Sequence, residues 1–374
     1  MKLTSRRTLL PDAGVVPATV TIADGLIAEI GPPGDGEDLG DLLLAPGLVD
    51  IHGDAFERQI MPRPGVLFDL AMGLVDSDRQ LLANGITTAF HGLTWSWEPG
   101  LRSPNTGRSL IEALDRLRPK LGGDHRWHLR FETFNLDGLE PAIDLIREGK
   151  VDLLALNDHT PGMAAAAAKP TGNLGAAIRA GVPLAQFNDL VRTVHARAPE
   201  VDAAMRRLAA AAREVGLPIL SHDDEDPEER ASYRDLGSHV AEFPKTLATA
   251  QAARAAGDAV VMGAPNALRG RSHLGALSAT EAIEAGVCTV LASDYFYPAL
   301  LQAPFSLARR GLLDLHEAWA LVSGNPAAAS GRDDRGAIAI GRRADLVVID
   351  ASDPDVALVH RTYVAGHEVY RCGP

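Results

Sequence analysis

The sequence predicts a (β/α)8 barrel beside a small β domain that both ends of the chain build. Eight apolar strand-like runs alternate with Ala/Leu/Arg-rich helical stretches over about 280 residues. Strand-like segments with Gly-rich turns precede and follow this region. Side chains that bind cations follow most of the strands, where a barrel presents its functional groups. The alternative is a doubly wound open sheet, but no Gly-rich dinucleotide fingerprint follows a strand.

The two chain ends supply the predicted β domain. In residues 1–45, two β-branched runs within 20–31 enclose Asp24-Gly25, a strong hairpin signal. In residues 331–374, strand-like runs at 341–350 and 361–370 are again present, with a turn at Ala365-Gly366. We therefore expect residues 1–45 and 331–374 to form one small β-sandwich domain.

The central segment, residues 46–330, is the predicted barrel. Its strands are expected at 47–52, 86–91, 127–133, 151–157, 217–222, 239–243, 259–263 and 288–293. Helices are expected at 69–84, 107–119, 139–149, 199–215, 246–256 and 279–285. The low-complexity run at 164–168 and the residues to 173 predict a helical turn and then a loop at the barrel mouth, either a surface connection or a lid.

The charge and the cysteine content indicate which binding partners and which compartment to expect. The formal net charge of −13 argues against nucleic acid or an anionic membrane, so an anionic substrate would need a local basic pocket or a cation. Cys288 and Cys372 form neither a disulfide framework nor a zinc-finger pattern. We expect no signal peptide, and the sequence contains no 18-residue apolar run. We expect a cytoplasmic protein that binds a small anionic molecule, and a homo-oligomer is compatible with the sequence.

The strongest single motif ends the first barrel strand. The run Leu44-Ala45-Pro46-Gly47-Leu48-Val49-Asp50-Ile51 stops on His52 and Asp54. Side chains two apart on a strand share a face, so the imidazole and the carboxylate project together. This pair suits Zn²⁺ or Mn²⁺, although a strand running into a polar turn would look the same.

Later strands end in the same way. Their terminal polar residues are His91, Glu132, Asn157-Asp158-His159, His222-Asp223-Asp224-Glu225, Glu242, Asn266 and Asp294-Tyr295. Any one of these is ordinarily a solvated polar group. The whole set at one rim of a barrel indicates a metal-dependent hydrolytic site.

These motifs carry a family resemblance. The Ala45–Asp54 stretch, Ser293-Asp294 and the split β domain resemble the amidohydrolase superfamily of metal-dependent hydrolases. A narrower resemblance is to its α-D-ribose 1-methylphosphonate 5-triphosphate diphosphatase branch in phosphonate catabolism. The motifs that carry it span nearly the whole chain: Phe56-Glu57-Arg58, Pro62-Arg63-Pro64-Gly65, Asn84-Gly85-Ile86-Thr87-Thr88, Asn157-Asp158-His159-Thr160-Pro161-Gly162, Ser221-His222-Asp223-Asp224, Glu242-Phe243-Pro244, Gly263-Ala264-Pro265-Asn266, Arg269-Gly270, Ser272-His273 and Ser293-Asp294-Tyr295.

The chain also departs from that branch. It has His52-Gly53-Asp54-Ala55-Phe56-Glu57-Arg58 where His-Thr-Asp-Asn-Leu-Glu is expected. Trp95 and Trp97 follow the second strand, where they either pack the rim or stack on a ring of the substrate. A subfamily with a changed substrate is therefore compatible with the sequence.

The resemblance implies one or two divalent cations, Zn²⁺ first and Mn²⁺ as the alternative. Lys150 precedes the fourth strand and lies at the wrong end to be a carboxylated metal ligand, whereas Glu132 can bridge two cations. The expected ligands are His52, Asp54, Glu132 and Asp294 for one cation, and Glu132, His159 and His222 for the other. Asp294 is also expected to take a proton from the attacking water, as in the enzymes that the chain resembles.

Further residues are expected around these ligands. Asp158 competes with His159, Asp223 and Asp224 either ligate or orient His222, and Glu242 is expected behind the ligands or facing the substrate. Phosphate recognition needs donors, and arginine binds two oxygens at once. The expected anion-binding residues are Arg58, Arg63, Lys245, Arg269, Arg271 and His273.

The resemblance implies hydrolysis of a phosphoanhydride, with pyrophosphate released from a ribose 1-(alkyl)phosphonate 5-triphosphate. The alternative is an amidohydrolase or deaminase that cleaves a C–N bond of a cyclic or heterocyclic substrate. A non-enzymatic binding or scaffold protein would have lost its metal ligands. The sequence retains His52, His159, His222 and Asp294.

Overall fold

The structure contains two β-sheets. Strands from both chain ends form one sheet, and strands from the central segment form the other. The computed structural model describes residues 1–270 and 276–373. In chain order, the strands are β1 Lys2–Leu10, β2 Gly14–Ala23, β3 Leu26–Gly31, β4 Glu37–Asp38, β5 Leu43–Pro46, β6 Leu48–Gly53, β7 Ile86–Trp95, β8 Asp124–Glu132, β9 Leu153–Asn157, β10 Ile219–His222, β11 Ser238–Glu242, β12 Ala259–Gly263, β13 Val290–Ala292, β14 Leu346–Asp350, β15 Leu358–Val364 and β16 His367–Arg371.

One sheet contains the strands of both chain ends. Its hydrogen-bonded order is β16-β15-β14-β5-β1-β2-β3, with β4 beside β1, and β5 pairs antiparallel with β14. Two tight turns, Asp24-Gly25 and Ala365-Gly366, have φ values of 51° and 77°, and of 47° and 76°. Positive φ at both central positions is what a type I′ hairpin turn requires. The prediction of a β domain built from both ends is confirmed.

The other sheet closes into the predicted barrel. Strands β6 to β13 follow one another in sequence order, and each consecutive pair is parallel. The Asp294 N–H donates to the His52 carbonyl at 2.9 Å, and the Asp54 N–H donates to the Asp294 carbonyl at 3.0 Å. These bonds join β13 to β6. The prediction of a (β/α)8 barrel is confirmed.

Register brings the functional strand ends to one level. Glu132 on β8 pairs with Asn157 on β9, which in turn pairs with His222 on β10. His222 pairs with Glu242 on β11. The apolar core of the barrel lies beneath this layer and includes Val49, Ile51, Phe90, Leu153, Leu220, Val240, Val261 and Val290.

Helices cover the outside of the barrel. They are α1 Phe56–Ile60, α2 Leu70–Ala83, α3 Pro104–Leu117, α4 Leu139–Arg147, α5 Thr160–Ala166, α6 Leu174–Ala180, α7 Leu184–His195, α8 Ala198–Glu214, α9 Pro227–Asp235, α10 Leu247–Ala255, α11 Ala264–Arg269, α12 Ala279–Glu284, α13 Pro298–Arg309, α14 Leu315–Ala320 and α15 Gly324–Ala329. The six predicted helices correspond to α2, α3, α4, α8, α10 and α12. Polar side chains cap the first turns of several of these helices. Asp69, Ser103 and Thr246 each accept a hydrogen bond from a backbone N–H group there.

The segment after β9 is more helical than the sequence predicted. The low-complexity run ends α5, and a turn then leads into α6 and α7. Asn173 anchors that turn, because its side-chain amide donates to the Met163 carbonyl and to Asn188 Oδ1, both at 2.9 Å. Among the residues that the structure describes, no helix is long and apolar enough to span a bilayer.

A buried ionic cluster holds the barrel to the C-terminal segment. Asp124, at the start of β8, accepts from Arg335 Nη1 at 2.6 Å and from Arg343 Nη1 at 3.0 Å. Arg126 Nε donates to its other oxygen at 2.9 Å. Burial would raise the pKa of Asp124, but Arg126 and Arg335 outweigh that effect and hold its pKa well below the usual range.

Candidate metal centre

A pocket of about 440 Å³ with charged and apolar side chains in its lining opens at the C-terminal ends of the barrel strands. This is the face at which barrels of this type place their active sites. The residues that line it are His52, Asp54, Arg130, His222, Asp223, Phe243, Pro244, Lys245, Met262, Asn266, Ala276, Leu277 and Asp294. Six of the predicted site residues therefore share one cavity: His52, Asp54, His222, Asp223, Lys245 and Asp294.

Glu242 fixes two of the imidazoles from behind. His52 Nδ1 lies 2.9 Å from Glu242 Oε1, and His222 Nδ1 lies 3.4 Å from Glu242 Oε2. The two rings stack with their centroids 5.2 Å apart. A carboxylate at Nδ1 favours the tautomer that carries its proton there, which leaves the Nε2 lone pair for a cation. Glu242 is fully buried and does not line the pocket, in keeping with its predicted place behind the ligands.

The electrostatics favour neutral imidazoles. Burial, and after it the guanidinium of Arg130, lowers the pKa of both His52 and His222 well below the ordinary value. Burial also raises the pKa of Glu242 to about 7. Neutral imidazole is the form that binds metal, so the pocket presents its histidines ready to ligate.

A second histidine pair stands beside the first. His159 Nδ1 lies 2.6 Å from Glu132 Oε1, and its Nε2 lies 3.8 Å from Asp223 Oδ2. His222 Nε2 lies 3.9 Å from the other oxygen of Asp223. Asp223 therefore faces both imidazoles across a short gap.

The donor set fits a divalent cation. Two groups have ligand atoms that all lie within 4.8 Å of one another, His52/His222/Glu242 and His159/His222/Asp223. Imidazole nitrogen with carboxylate oxygen suits Zn²⁺ or Mn²⁺. In the first group Glu242 faces the Nδ1 atoms of both imidazoles, so it orients them when those atoms carry the protons. The second group presents the Nε2 atoms of His159 and His222 to Asp223. Among the described residues, the buried Nε2 of His128 has no hydrogen-bond partner, and it lies 3.8 Å from Glu242 Oε2.

Asp294 occupies the place predicted for the catalytic base. Burial, and then the nearby charge of Asp54, raises the pKa of Asp294 to about 7. Behind it, Asp50 accepts from Ser293 Oγ at 2.5 Å and from the Ser293 N–H at 3.0 Å, which fixes the turn that carries Asp294. Gly53 leaves room for this contact, because a Cβ there would lie 2.6 Å from Asp50 Oδ2.

Backbone strain concentrates at the pocket. Asp223, Phe243 and Asp294 follow β10, β11 and β13, and their φ values are 63°, 52° and 55°. Such conformations cost a non-glycine residue about 1–3 kcal/mol and persist where surrounding bonds impose them. The Asp223 N–H donates to the Glu242 carbonyl at 2.8 Å, and the Phe243 N–H donates to the Val261 carbonyl at 2.9 Å. The strained turns aim their side chains over the strand ends.

Other predicted ligands have different surroundings. Glu132 belongs to neither three-residue group among the described residues, and its carboxylate contacts His159 Nδ1 instead. Its bridging role stays a prediction. Asp158 accepts from Thr133 Oγ1 at 2.9 Å and lines a neighbouring cavity. Asp224 is fully buried and accepts from Ser221 Oγ at 2.7 Å, so it braces the turn beside His222.

The predicted anion-binding residues are dispersed. Lys245 lines the pocket, although its Nζ also contacts Glu225 Oε1 at 3.0 Å. Arg58 is exposed and lines a separate cavity of about 220 Å³, and Arg63 and Arg269 are exposed. Arg271 and His273 lie outside the described residues.

Sequence reasoning missed Arg130 and His128, which also face this end of the barrel. Arg130 is 6% exposed and lines the pocket. It precedes Glu132 by two positions, so the strand period of two could have found it. His128 lies below His52, with ring centroids 5.2 Å apart, and burial lowers its pKa to about 4.

Trp95, the last residue of β7, and Trp97 pack within the protein. Trp95 is fully buried, and its Nε1–H donates to the Gly138 carbonyl at 3.0 Å. The Trp97 Nε1–H donates to Thr160 Oγ1 at 3.0 Å, and its ring contacts Phe187 on α7. Neither side chain lines the pocket.

Comparison with known proteins identifies the family of this chain. A model of the Amidohydrolase family matches residues 79–370. The chain is 33% identical over 327 residues to the α-D-ribose 1-methylphosphonate 5-triphosphate diphosphatase of Escherichia coli (strain K12), and the match covers 85% of each chain. The predicted resemblance to the superfamily and to this branch is confirmed.

Solved structures share the fold. D-hydantoinase from a Bacillus sp. AR9 superposes with a TM-score of 0.66 at 15% identity, covering 99% of this chain and 95% of that one. An adenosine deaminase from Xanthomonas campestris with bound zinc gives a TM-score of 0.60 at 14% identity, covering 98% and 92%. At these identities the likeness shows the fold alone. The family match and the identity to the diphosphatase go further: this chain is a hydrolase that belongs to the amidohydrolase family.

Proposed function

We propose that this hydrolase depends on divalent cations and releases pyrophosphate from a ribose 1-(alkyl)phosphonate 5-triphosphate in phosphonate breakdown. The observation that carries the proposal is the 33% identity to the Escherichia coli diphosphatase over 85% of both chains. The pocket supports it with imidazoles, carboxylates and a buried guanidinium in one cavity.

The proposed cations are Zn²⁺, with Mn²⁺ as the alternative. His52, Asp54 and Asp294 would hold one, and His159 and His222 would hold the other. Cations bound here would polarise a phosphoryl oxygen and lower the pKa of a bound water. Glu242 would orient His52 and His222 through their Nδ1 atoms, and Glu132 would orient His159 in the same way.

Asp294 would serve as the general base. Its carboxyl lines the pocket, and a general base works best when its pKa lies near the operating pH. The water deprotonated by Asp294 would attack the α-phosphorus, and the bond from that phosphorus to the β-bridging oxygen would break. Pyrophosphate would leave, and a 5-phosphate ester would remain.

The alternative reaction is hydrolysis of a C–N bond. This reaction would be favoured if Trp95, at the end of β7, and Trp97 stacked on a heterocyclic substrate. Trp95 and Trp97 instead pack against other parts of the chain and do not line the pocket. The shared fold of D-hydantoinase and adenosine deaminase does not assign their chemistry to this chain.

The test uses metal-stripped protein reloaded with Zn²⁺ or Mn²⁺. Ribose 1-methylphosphonate 5-triphosphate is supplied in H₂¹⁸O beside a panel of cyclic amides and aminopurines. We expect pyrophosphate without ammonia, one ¹⁸O atom in the 5-phosphate ester, and loss of turnover with a chelator. Ammonia release, label in pyrophosphate, or turnover that survives chelation would overturn the proposal.

A further inference from the structure

The most distinctive unassigned group in the pocket is the guanidinium of Arg130. It lies on β8 and is 6% exposed. Its Nη1 lies 3.4 Å from Asp54 Oδ2, and its Nη2 lies 3.2 Å from His222 Nε2. A cation bound at His222 Nε2 would take up that lone pair and leave the Nη2 donor for an oxygen of the substrate. With the Asn157 amide oxygen turned toward it, that oxygen accepts from Nη2 and Nε, both at 3.2 Å.

These contacts leave the buried charge poorly neutralised. Within residues 1–270 and 276–373, Arg130 contacts one carboxylate, that of Asp54, through a single long contact. Its other partners there are a neutral imidazole and an amide. Arg102 shows what a structural arginine of this protein looks like. It donates to both oxygens of Glu57, from Nε at 2.9 Å and from Nη2 at 2.8 Å. A buried guanidinium that lacks such a partner is costly unless an anion completes its surroundings.

The charge of the pocket points in the same direction. Asp54, Asp223 and Asp294 line it, against the basic side chains of Arg130 and Lys245. The Lys245 side chain is 40% exposed and contacts Glu225. Arg130 is therefore the one buried, permanently positive group in the described lining of the pocket. A substrate with several negative charges would need it beside the cations.

The barrel wall also makes room for this side chain. A Cβ built at Gly92 on β7 would lie 3.0 Å from Arg130 Cδ and 3.8 Å from the Asp54 Cβ. Glycine at this position thus lets the aliphatic part of Arg130 lie across the neighbouring strand. The guanidinium then reaches the cavity between Asp54 and His222.

We propose that Arg130 is the anion-binding residue at the floor of the pocket. Its forked donors would hold phosphoryl oxygens of the substrate and give the site its preference for phosphoanhydrides over neutral amides. Arginine suits this role because its planar fork binds two oxygens of one phosphate. The inference rests on the proposed function and adds the residue that recognises the reacting group.

The test measures binding of inorganic pyrophosphate to Zn²⁺-loaded protein by calorimetry, without free metal. Arg130→Lys keeps the charge but loses the fork, and we expect its Kd to rise about tenfold or more. Arg147→Lys, on the exposed face of α4, is the matched control and should bind like the unmodified protein. Zinc content and melting temperature are measured for each variant.

A purely structural role predicts a different pattern. If Arg130 only holds Asp54 and His222 in place, Arg130→Lys should lose zinc or melt earlier while the loaded fraction binds pyrophosphate normally. That result would overturn the proposal, as would an unchanged Kd in a fully loaded variant. A rise in KM for the triphosphate that exceeds the fall in kcat would support it.

Gly92→Ala provides a second variant with the guanidinium intact. The added Cβ would push Arg130 Cδ by a few tenths of an ångström without removing a charge, so we expect a small rise in the Kd for pyrophosphate at normal zinc content. Unchanged binding by this variant would count against the proposed position of the fork. If the unmodified protein binds pyrophosphate through Arg130 but does not cleave the triphosphate, the proposed function fails and this inference stands.

Discussion

At the scale of single residues, the site depends on carboxylates that orient imidazoles. One carboxylate, Glu242, contacts Nδ1 of both His52 and His222, and Glu132 contacts Nδ1 of His159. Each contact fixes a tautomer and a ring orientation before any ligand arrives. Small changes in these carboxylates should therefore appear first in cation affinity.

Glu242→Gln is expected to weaken Zn²⁺ binding by about 10- to 100-fold, because an amide that presents one oxygen cannot accept from both imidazoles. Competitive titration against a chromophoric chelator measures the affinity. Glu140→Gln, on the exposed surface of α4, is the control. Equal zinc affinity in the two variants would contradict the orienting role of Glu242.

The Asp294→Asn variant distinguishes loss of the general base from loss of the bound metal. We expect kcat to fall by about 10²- to 10⁴-fold, since the amide cannot accept the proton of the attacking water. Much of the zinc should remain, because His52, Asp54, His159 and His222 are intact. Steady-state kinetics and metal analysis of the same preparation give both quantities. A variant that turns over at the normal rate would refute the assignment of the base.

At the scale of elements, the closure between β13 and β6 positions one side of the pocket. Asp50 on β6 accepts both the hydroxyl and the backbone N–H of Ser293, and the next residue is Asp294. Burial raises the pKa of Asp50 to about 6, and the two bonds from Ser293 oppose that rise because they stabilise the charged carboxylate. This contact between β6 and the turn after β13, the seam of the barrel, therefore both closes the barrel and positions Asp294.

Ser293→Ala should lower the free energy of unfolding by about 1–3 kcal/mol, because a buried carboxylate oxygen loses its donor. Chemical denaturation of the metal-free protein measures the change. Ser232→Ala, on the exposed face of α9, is the control. A difference below about 0.5 kcal/mol between the two variants would show that the seam does not depend on the hydroxyl.

At the scale of the whole molecule, ion pairs tie the barrel to the segment that leads into the C-terminal strands. The Asp124 carboxylate accepts hydrogen bonds from Arg126 on the same strand, and from Arg335 and Arg343, which follow the barrel in the sequence. Its pKa lies well below the usual range despite burial, because these guanidinium groups favour the charged form. The cluster therefore contributes stability only while Asp124 is ionised.

Asp124→Asn is expected to cost about 1–3 kcal/mol at neutral pH, because three guanidinium groups lose the carboxylate that they share. Among the described residues, Arg126, Arg335 and Arg343 would keep only Asp152, Asp334 and Asp345 as ion-pair partners. The folded-state pKa of Asp124 is depressed, so this stability is present above the unfolded value of 3.8 and is lost as the pH falls through the folded value. The gap between the unmodified protein and the variant should narrow below about pH 4. Urea unfolding from pH 3 to 7 measures it, and a gap that is constant over this range would contradict the prediction.

The sequence by itself determined the barrel, the split β domain and much of the site. Alternating apolar runs and helical stretches follow from backbone periodicity, which is local. His52 and Asp54 share a face for the same reason, and strand ends were enough to select His222 and Asp294. The turns at Asp24-Gly25 and Ala365-Gly366 were also predictable from the sequence, because few residue types adopt a positive φ readily.

Only the tertiary structure decided which of these groups meet. Glu242 on β11 reaches His52 on β6 across the barrel interior, and these strands are not neighbours in the sheet. The strand period of two places Arg130 on the same face as Glu132, but it does not show that the guanidinium reaches the pocket. Its place depends on the space that Gly92 leaves on the adjacent strand. Periodicity and turn preferences act over a few residues, whereas closure of the barrel fixes distances between side chains far apart in the chain.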